Sequence, residues 1–346
     1  MKTTTFRRAV MTAPKKLEIR SFDLPELKNG EVLVKITHVG ICTWEQKFYR
    51  GIPDSYPFIG GHEITGEVAA VGDGVAQPLR KGDRVVVASL TRCGECYYCR
   101  RGMDNLCAYT GSEASPGGLW GPGGFGEYII ARGYEVFRIA DTASASTATL
   151  AEPLACVIRS VDRGNIQFGD TVLVQGGGVM GILHVLLAKA RGAAVVLSEP
   201  DADRRENGLG FGADAVIDPL QEDFSPLVEK FTGGRGFDAV FFTAGGAPAL
   251  MQGIDLLRLN GTCVVYGSTR KDDKLSLDPK LFHYNEIYLT GVTKHTKDGF
   301  RRAAEIISAN ELGLERLISA QFPFDEISTA FSRALEVDTY RVVLTM

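Results

Sequence analysis

The chain contains 346 residues, of which 45% are hydrophobic and 23% are charged, and its formal net charge is −4. This length exceeds the usual size of one hydrophobic core, so we expect two domains. A slightly acidic chain offers no basic surface, which argues against nucleic acid and anionic membranes as partners and favours small molecules. Residues 1–8 lead into no sustained apolar run, so the sequence predicts neither a secretory signal nor a membrane-spanning helix, and we expect a cytoplasmic location.

Short apolar runs broken by glycine, proline and aspartate characterise residues 1–150. Runs of this length and composition are typical of strands in an antiparallel, β-rich domain. The predicted strands cover residues 31–36, 64–71, 84–88 and 127–130.

Two motifs in this first domain carry side chains that suit a metal ion. Cys42 lies in the sequence VGICT, and twenty residues later His62 and Glu63 lie in GHEITG. A cysteine, a histidine and an acid are suitable ligands for a catalytic zinc ion, with room left for water or substrate. Cys42 or His62 taken alone would more often be a buried structural residue.

Four of the seven cysteines lie close together, at Cys93, Cys96, Cys99 and Cys107. Gaps of two residues let neighbouring thiolates turn inward on a short loop, and four such ligands close a tetrahedral zinc shell, which predicts a structural site. A ferredoxin-type iron–sulfur cluster is a weaker interpretation, because its last gap is three residues and its last cysteine precedes proline, whereas Ala108 follows Cys107 here. Disulfides are weaker still, because the number of cysteines is odd and nothing marks the chain as secreted.

From about residue 150 the pattern changes to apolar runs that alternate with helical stretches. Continuously apolar strands in this alternation imply a parallel sheet covered by helices on both faces. The runs cover residues 171–175, 194–198, 215–217, 238–242, 262–266 and 287–290. His184 and Cys263 lie within apolar stretches and are interpreted as core residues. The helical stretch at 298–310 and the apolar run at 341–344 are less diagnostic.

A glycine-rich turn, Gly176-Gly177-Gly178-Val179-Met180-Gly181, separates the first of these runs from a helical stretch. The G-x-G-x-x-G pattern is weak alone, but its position between strand and helix, with the acid Glu199 eighteen residues beyond Gly181, predicts a dinucleotide site. Gly176 permits the tight turn, Gly178 lets the backbone approach the pyrophosphate, and Gly181 lets helix and strand pack closely. The pyrophosphate would then meet a positive helix end. A glycine-rich turn without a ligand is the alternative.

The pattern G-H-E-x2-G-x5-G-x2-V from Gly61, the four-cysteine segment and the later glycine-rich turn together resemble the zinc-dependent medium-chain dehydrogenase family, across essentially the whole chain. The resemblance implies an α/β fold with a chaperonin-10-like, β-rich catalytic domain at 1–150, which includes the structural zinc lobe at 93–107. It also implies a Rossmann NAD-binding domain with a doubly wound parallel sheet at 151–292, and a return of residues 293–346 to the catalytic domain. The active site would lie in the cleft between the domains.

The resemblance also implies roles for individual residues. Cys42 and His62 would bind the catalytic zinc ion, with Glu63 beside the metal. Glu152, in an E-P-L motif, would supply the last acidic group, directly or through one water, as in the polyol and threonine dehydrogenase branch. Cys156, one helical turn further on, is the alternative ligand.

Two departures from the family pattern bear on the substrate. In the polyol and threonine dehydrogenases that this chain resembles, the pattern from the ligand cysteine onward is C-G-[ST]-D, often with a histidine five residues after the cysteine. This chain has C-T-W-E-Q-K from Cys42. Trp44 has no hydroxyl and would narrow the pocket, and Lys47 replaces the histidine. Proton removal is therefore assigned first to Thr43, with Glu45 or water as alternatives.

The acid after the second strand of the parallel sheet predicts NAD as the cofactor. Glu199 would accept hydrogen bonds from the adenine ribose hydroxyls and repel a 2′-phosphate. Arg204 and Arg205 would favour that phosphate, although the residue corresponding to Arg204 lies along the adenosine in the threonine dehydrogenases that this chain resembles.

These features together predict a zinc-dependent, NAD-linked dehydrogenase that oxidises a secondary alcohol, in a polyol, a sugar or a hydroxy acid, to a ketone. Oxidation of a 3-hydroxy amino acid, as in threonine dehydrogenase, is the alternative activity. A non-catalytic NAD-binding protein is the alternative of another class, and the intact metal motifs argue against it. A zinc-free quinone reductase is disfavoured because it would need neither metal motif. The expected partner is a small-molecule alcohol, and the expected assembly is a homodimer or homotetramer.

Overall fold

The computed structural model describes residues 5–110, 118–270 and 272–346. Its strands, in chain order, are β1 (Thr5–Ala13), β2 (Lys16–Asp23), β3 (Glu31–Gly40), β4 (Glu63–Val71), β5 (Arg84–Ala88), β6 (Tyr128–Arg132), β7 (Val136–Arg138), β8 (Thr171–Gln175), β9 (Ala194–Ser198), β10 (Ala215–Ile217), β11 (Phe237–Phe242), β12 (Leu257–Val265), β13 (Tyr288–Gly291), β14 (Ile318–Pro323) and β15 (Arg341–Thr345). Its α-helices are α1 (Thr43–Tyr49), α2 (Tyr97–Arg100), α3 (Ala145–Ala148), α4 (Ala151–Arg163), α5 (Val179–Ala190), α6 (Ala202–Gly210), α7 (Ser225–Thr232), α8 (Gly246–Asp255), α9 (Lys280–His283), α10 (Lys297–Ala309) and α11 (Ile327–Ala334). Short 3-10 helices cover Asp104–Leu106, Gly133–Glu135, Leu314–Leu317 and Phe324–Glu326.

The chain forms two compact units, of which the first combines Met1–Ala155 with His295–Met346 and the second comprises Cys156–Lys294. The boundaries expected from the sequence lie after residues 150 and 292. Among the described residues, no helix has both the length and the apolar character that crossing a bilayer requires.

The first unit is built on a seven-stranded sheet in the order β14-β15-β3-β4-β5-β7, with β6 also paired to β3, and on the separate antiparallel pair β1-β2. Every pairing in the larger sheet is antiparallel except that of β14 with β15. The alternating side chains of β3 and its neighbours pack with helix α11 into one core, which includes Val32, Val34, Ile36, Ile64, Val68, Phe331, Val342 and Leu344. The antiparallel, β-rich architecture expected for this part of the chain is confirmed.

The second unit is a parallel sheet in the order β10-β9-β8-β11-β12-β13. This is the strand order of a Rossmann fold, and it reverses between β8 and β11, where doubly wound sheets bind ligands beyond the carboxyl ends of their strands. The predicted parallel sheet is therefore confirmed. Its core includes Leu173, Val196, Val240, Phe242 and Cys263.

His184 is fully buried in helix α5, and it is a core residue as predicted. Its Nδ1 atom lies 2.7 Å from the Met180 carbonyl oxygen and its Nε2 atom lies 2.8 Å from the Ser160 hydroxyl. Because a carbonyl only accepts, Nδ1 carries the hydrogen and Nε2 accepts one from Ser160. Burial lowers the pKa of His184 to about 4.

Candidate functional site

Strand pairing in the first unit brings a cysteine, a histidine and a glutamate together. β3 and β4 run antiparallel with Gly40 opposite Glu63, so Cys42, just past β3, lies near His62, just before β4. The ligand atoms of Cys42, His62 and Glu63 all lie within 4.8 Å of one another. A thiolate, an imidazole and a carboxylate at this spacing fit a zinc ion.

Gly40 makes room for the acid of this cluster. A Cβ atom at Gly40 would lie 2.2 Å from Oε2 of Glu63, closer than any real contact. Because Gly40 has no side chain, the Glu63 carboxylate can lie against the backbone of β3 at this position.

The imidazole of His62 is oriented by Glu45, a fully buried acid in helix α1. Oε1 of Glu45 lies 2.6 Å from Nδ1 of His62 and accepts a hydrogen bond of 3.0 Å from the backbone N–H of Gly61. Since a carboxylate only accepts, Nδ1 carries the hydrogen and the Nε2 lone pair is left for a metal. Burial works against the charged imidazole, but Glu45 and Cys42 outweigh it and raise the pKa of His62.

Glu63 forms a buried ion pair with Arg341 from the C-terminal strand β15. Nη2 of Arg341 lies 2.9 Å from Oε1 of Glu63, and both side chains are almost completely buried. Burial raises the pKa of Glu63 to about 7, although the Arg341 charge opposes that shift. Arg341 also donates a 2.9 Å hydrogen bond to the Ile41 carbonyl, next to Cys42.

Glu152 lies beside this cluster, in the first turn of helix α4. Its Oε2 atom is 3.9 Å from Nε2 of His62, and its Oε1 atom is 3.9 Å from Nε2 of His295. Among the described residues, the set with mutually close ligand atoms contains neither Glu152 nor the buried Cys156.

An aromatic wall borders the metal cluster and consists of Trp44, Trp120, Phe48 and Phe58. The Trp44 ring lies 5.6 Å from the His62 ring and 6.1 Å from the Trp120 ring. Phe48 and Phe58 support Trp44 from behind, at 5.0 and 5.3 Å, and are buried. The two indoles remain 38% and 48% exposed, so they present an accessible apolar face next to a candidate metal ligand.

The four-cysteine lobe gathers its sulfur atoms in one cluster. All four Sγ atoms lie within 4.8 Å of one another, and Cys93 is 3.6 Å from Cys107 and 4.0 Å from Cys99. Disulfide sulfurs are about 2.05 Å apart, whereas Zn–S bonds of about 2.3 Å in a tetrahedron place sulfurs about 3.8 Å apart. Backbone hydrogen bonds from Cys99 and Ala108 lower the pKa of Cys96 to about 6, which favours the thiolate. These dimensions fit a closed zinc site.

The glycine-rich turn after β8 requires glycine at two positions. Gly176 has a φ of +102°, and a Cβ atom there would lie 2.6 Å from the Thr243 hydroxyl. A Cβ atom at Gly181 would lie 1.7 Å from the Gly176 carbonyl oxygen, so no side chain fits between strand and helix. Gly178 precedes helix α5, whose first residues are Val179 and Met180. The N–H groups of this first helical turn lie at the positive end of the helix, where a phosphate group would be stabilised.

Glu199, which directly follows strand β9, contacts the glycine-rich turn. Its Oε2 atom accepts a 2.5 Å hydrogen bond from Gly177 N–H, and its Oε1 atom accepts one of 3.0 Å from Asp201 N–H. A Cβ atom at Gly178 would lie 3.6 Å from a terminal nitrogen of Arg204, so the Arg204 side chain lies close to the turn.

The Arg205 side chain binds backbone carbonyls and Asp218. Its Nη1 atom donates to the carbonyl oxygens of Glu199 and Pro200, each at 2.7 Å, and lies 3.4 Å from Asp218. Of the two arginines, Arg204 therefore lies closer to the glycine-rich turn.

Sequence reasoning identified the metal and glycine motifs but not the residues that orient them. The sequence predicts Glu45 only as an alternative proton acceptor, although its place three residues after Cys42, where the family pattern has an acid, is a usable signal. Arg341 and His295 carry no local signal, since more than a hundred residues separate each of them from the side chain that it approaches.

Comparison with known proteins gives consistent matches along the chain. Residues 28–141 match the alcohol dehydrogenase GroES-like domain, and residues 179–309 match the zinc-binding dehydrogenase domain. Sorbitol dehydrogenase of Bacillus subtilis is 31% identical over 95% of this chain and 93% of its own length. L-threonine 3-dehydrogenase of Pyrococcus abyssi is 33% identical over 95% of each chain. A zinc-binding dehydrogenase of Sinorhizobium meliloti, whose crystal structure contains NADP, is 28% identical with a TM-score of 0.88, over 99% of this chain and 100% of its own.

Proposed function

Since this chain belongs to the zinc-dependent medium-chain dehydrogenase family, in the branch with polyol and threonine dehydrogenases, we propose that it oxidises a secondary alcohol of a polyol, a sugar or a hydroxy acid to a ketone, with NAD as hydride acceptor. The observation that carries the proposal is the close cluster of Cys42, His62 and Glu63 with Glu152 beside it. The cluster combines side chains that suit zinc with a neighbouring exposed aromatic surface, formed by Trp44 and Trp120.

The proposed catalytic ligands are Cys42, His62 and Glu152, the last directly or through one water, with Glu63 next to the metal. Zinc bound there would polarise the alcohol oxygen and lower its pKa. Glu45 fixes the imidazole tautomer, because its carboxylate accepts the Nδ1 hydrogen of His62. Cys93, Cys96, Cys99 and Cys107 are the proposed ligands of a second, structural zinc ion.

The proposed cofactor site is the turn from Gly176 to Gly181, with Val179 and Met180 at the start of helix α5. NAD supplies the hydride chemistry, while the protein supplies placement. Glu199 lies within hydrogen-bonding distance of the turn, and we propose that its carboxylate accepts from the adenine ribose. Arg204 is proposed to lie along the adenosine.

The proposed substrate contacts come from Thr43 and Trp44 at the start of helix α1. Both side chains are exposed, and Trp44 borders His62. The Trp44 ring shields one side of the reacting centre from water and narrows the space for substrate. The Thr43 hydroxyl is proposed to take up the alcohol proton and pass it to solvent.

Oxidation of a 3-hydroxy amino acid is the second candidate. The likeness to the Pyrococcus threonine dehydrogenase supports it as strongly as the likeness to sorbitol dehydrogenase supports a polyol. An amino acid carries an ammonium group that an accessible indole face can attract. The two candidates therefore differ in whether a charged nitrogen is required.

One assay separates the candidates. The zinc-loaded enzyme is mixed with NAD⁺ and a panel of polyols, sugars, sugar acids and 3-hydroxy amino acids, and the absorbance of NADH is followed. Turnover of polyols or sugar acids supports the first proposal, and turnover restricted to hydroxy amino acids supports the second. No turnover with any member of the panel would reject both.

We also propose that the protein assembles as a homodimer or homotetramer. Strand β13 forms one edge of the six-stranded sheet, and its Tyr288 side chain is 60% exposed. An edge strand can pair with the same strand of a second copy. The mass in solution, measured by light scattering, tests this assignment.

A further inference from the structure

His295 connects the candidate catalytic acid to a buried arginine. The residue is fully buried, and its Nε2 atom lies 3.9 Å from Oε1 of Glu152. On its other side, Nη2 of Arg92 lies 3.4 Å from Nδ1 and donates a 2.6 Å hydrogen bond to the His295 carbonyl. The imidazole thus lies between a cation and a carboxylate.

The arginine determines which nitrogen of His295 carries the hydrogen. A guanidinium group has only donors and stays charged in proteins. Nδ1 lies 3.4 Å both from Nη2 of Arg92, which can only donate, and from the carbonyl oxygen of Thr296, which can only accept. The full charge of the guanidinium outweighs the carbonyl dipole and disfavours a hydrogen on Nδ1, so Nε2 carries the hydrogen and faces Glu152. A separation of 3.9 Å is too long for a hydrogen bond, but such contacts at active sites often tighten when the site is loaded.

The two oxygens of Glu152 therefore have different neighbours. Oε1 faces the N–H of His295, whereas Oε2 lies 3.9 Å from Nε2 of His62, on the side of the metal cluster. Engagement of Oε1 by His295 would leave Oε2 as the single oxygen turned toward the metal or its bound water.

Arg92 also reaches into the four-cysteine lobe. It directly precedes Cys93, and its Nε atom lies 3.3 Å from Oδ2 of Asp104. Asp104 is buried, begins the 3-10 helix before Cys107, and accepts a 3.1 Å hydrogen bond from Lys297 N–H. Asp104, Arg92 and His295 therefore form a buried polar bridge between the lobe and Glu152, which we name the Arg92 bridge.

We propose that His295 is a positioning residue for Glu152 and that the Arg92 bridge couples the four-cysteine lobe to the catalytic metal site. The inference rests on the metal site of the proposed function. A lobe that keeps its own metal holds Asp104 and Arg92 in place, and these fix the His295 tautomer. The lobe thereby influences how tightly Glu152 supports the catalytic metal.

The first test uses a matched pair of substitutions at His295. The amide nitrogen of glutamine can occupy the position of Nε2 and donate a hydrogen bond to Glu152. The shorter asparagine side chain can replace only Nδ1, so its amide does not reach Glu152. Chelator competition measures the affinity of the Cys42 site for metal, and the absorption bands of cobalt at that site report its coordination. We expect His295→Asn to weaken metal binding there by about 10- to 100-fold and to shift the cobalt bands, while His295→Gln stays close to the unmodified protein.

Two outcomes of this test would overturn the positioning role. One is an unchanged affinity and spectrum in His295→Asn. The other is an equal loss in both variants together with equal losses of thermal stability, which would indicate a merely structural residue.

The second test measures the coupling. Asp104→Asn is made in the unmodified protein and in His295→Asn, with exposed Glu95→Gln in the lobe as the matched control. We expect Asp104→Asn alone to shift the cobalt bands of the Cys42 site and to add nothing in the His295→Asn background, because the bridge is already broken. Additive shifts in the double variant would overturn the coupling.

Neither test uses a substrate, so failure of the proposed substrate class would leave both results intact. Absence of any metal at the Cys42 site of the unmodified protein would reject the proposed function, and this inference with it.

Discussion

Glu45 and His62 share a buried 2.6 Å hydrogen bond between Oε1 and Nδ1, which fixes the imidazole with its other nitrogen free for a metal. We expect Glu45→Gln to weaken metal binding at the Cys42 site by about 10- to 100-fold, because the amide is a poorer acceptor and no longer balances the imidazole. Metal affinity measured by chelator competition checks this. Glu67→Gln, at an exposed position on the same strand as Glu63, is the control and should have no effect. Equal affinities for Glu45→Gln and the control would contradict the role given to Glu45.

The two cysteine-containing sites predict two zinc ions per chain with separable consequences. Cys99→Ser should release the structural ion and lower the melting temperature, because lobe folding depends on its metal. Cys42→Ser should remove activity with little change in melting temperature, since that site is the one open to substrate. Metal analysis with thermal unfolding of each variant checks both statements. A single ion per chain in carefully handled protein would show that one of the sites is wrongly assigned.

Glu199 should select NAD over NADP. Its carboxylate, placed by the N–H groups of Gly177 and Asp201, would repel a 2′-phosphate. Loss of a charged hydrogen bond of about 1.5–3 kcal/mol in Glu199→Ala should lower kcat/KM for NAD⁺ by about 10- to 100-fold, while NADP⁺ gains from Arg204. The ratio of kcat/KM for the two cofactors checks this. Equal kcat/KM values of the unmodified enzyme for NADP⁺ and NAD⁺ would contradict the assignment.

His184 should make the second unit sensitive to acid. Burial holds its pKa at about 4, whereas an unfolded histidine has a pKa of about 6.5. As the pH falls from about 6.5 to about 4, the unfolded chain binds a proton that the folded protein does not, so stability decreases, by roughly 3 kcal/mol in total. Above about pH 6.5 this residue should contribute no pH dependence.

Thermal unfolding at a series of pH values tests the role of His184. His184→Gln should be less stable at pH 7 but should lose less stability on acidification. Exposed His283→Gln is the matched control and should keep the original pH dependence. If all three proteins share the same acid slope, His184 is not its source.

Trp44 should limit which alcohols reach the metal site. Trp44→Thr removes the indole that borders His62 and restores a hydroxyl at that position, so we expect new turnover of common polyols. The substrate panel with NAD⁺ checks this. A loss of stability with an unchanged substrate range would mean that Trp44 only packs on Phe48 and Phe58.

Thr43→Val provides the companion test of the proton route. General acid–base assistance is typically worth about 10² to 10⁴ in rate, so a large fall in kcat is expected if the hydroxyl carries the proton. Full kcat at every pH would eliminate Thr43 from this role.

The parallel sheet could be predicted closely because its strands are continuous apolar runs that end at turn-forming or charged residues. The predicted runs at 171–175, 194–198 and 215–217 coincide with β8, β9 and β10, which are followed by Gly176, Glu199 and Asp218. β12 begins at Leu257, five residues before the predicted start at residue 262. Asn260 and Gly261 resemble a turn in the sequence, but the strand continues through them with a shift in its pairing with β11.

The candidate site was predictable only where its chemistry lies in short motifs. Spacing identified Cys42, His62 and the four lobe cysteines, because ligand chemistry restricts which residues occur there. Arg341 could not be found in this way, since it approaches Glu63 only after β15 has paired with β3. Tertiary pairing, not local pattern, places such residues.

The pairing of β15 with β3 also determines when the metal site can form during synthesis. The second unit is one continuous segment and can fold as soon as it leaves the ribosome, whereas the first unit needs residues from both ends of the chain. Until Arg341 emerges, the buried Glu63 carboxylate lacks its guanidinium partner. A nascent chain halted before β15 should therefore contain a folded second unit and an incomplete first unit, and binding of the catalytic metal should follow the synthesis of β15.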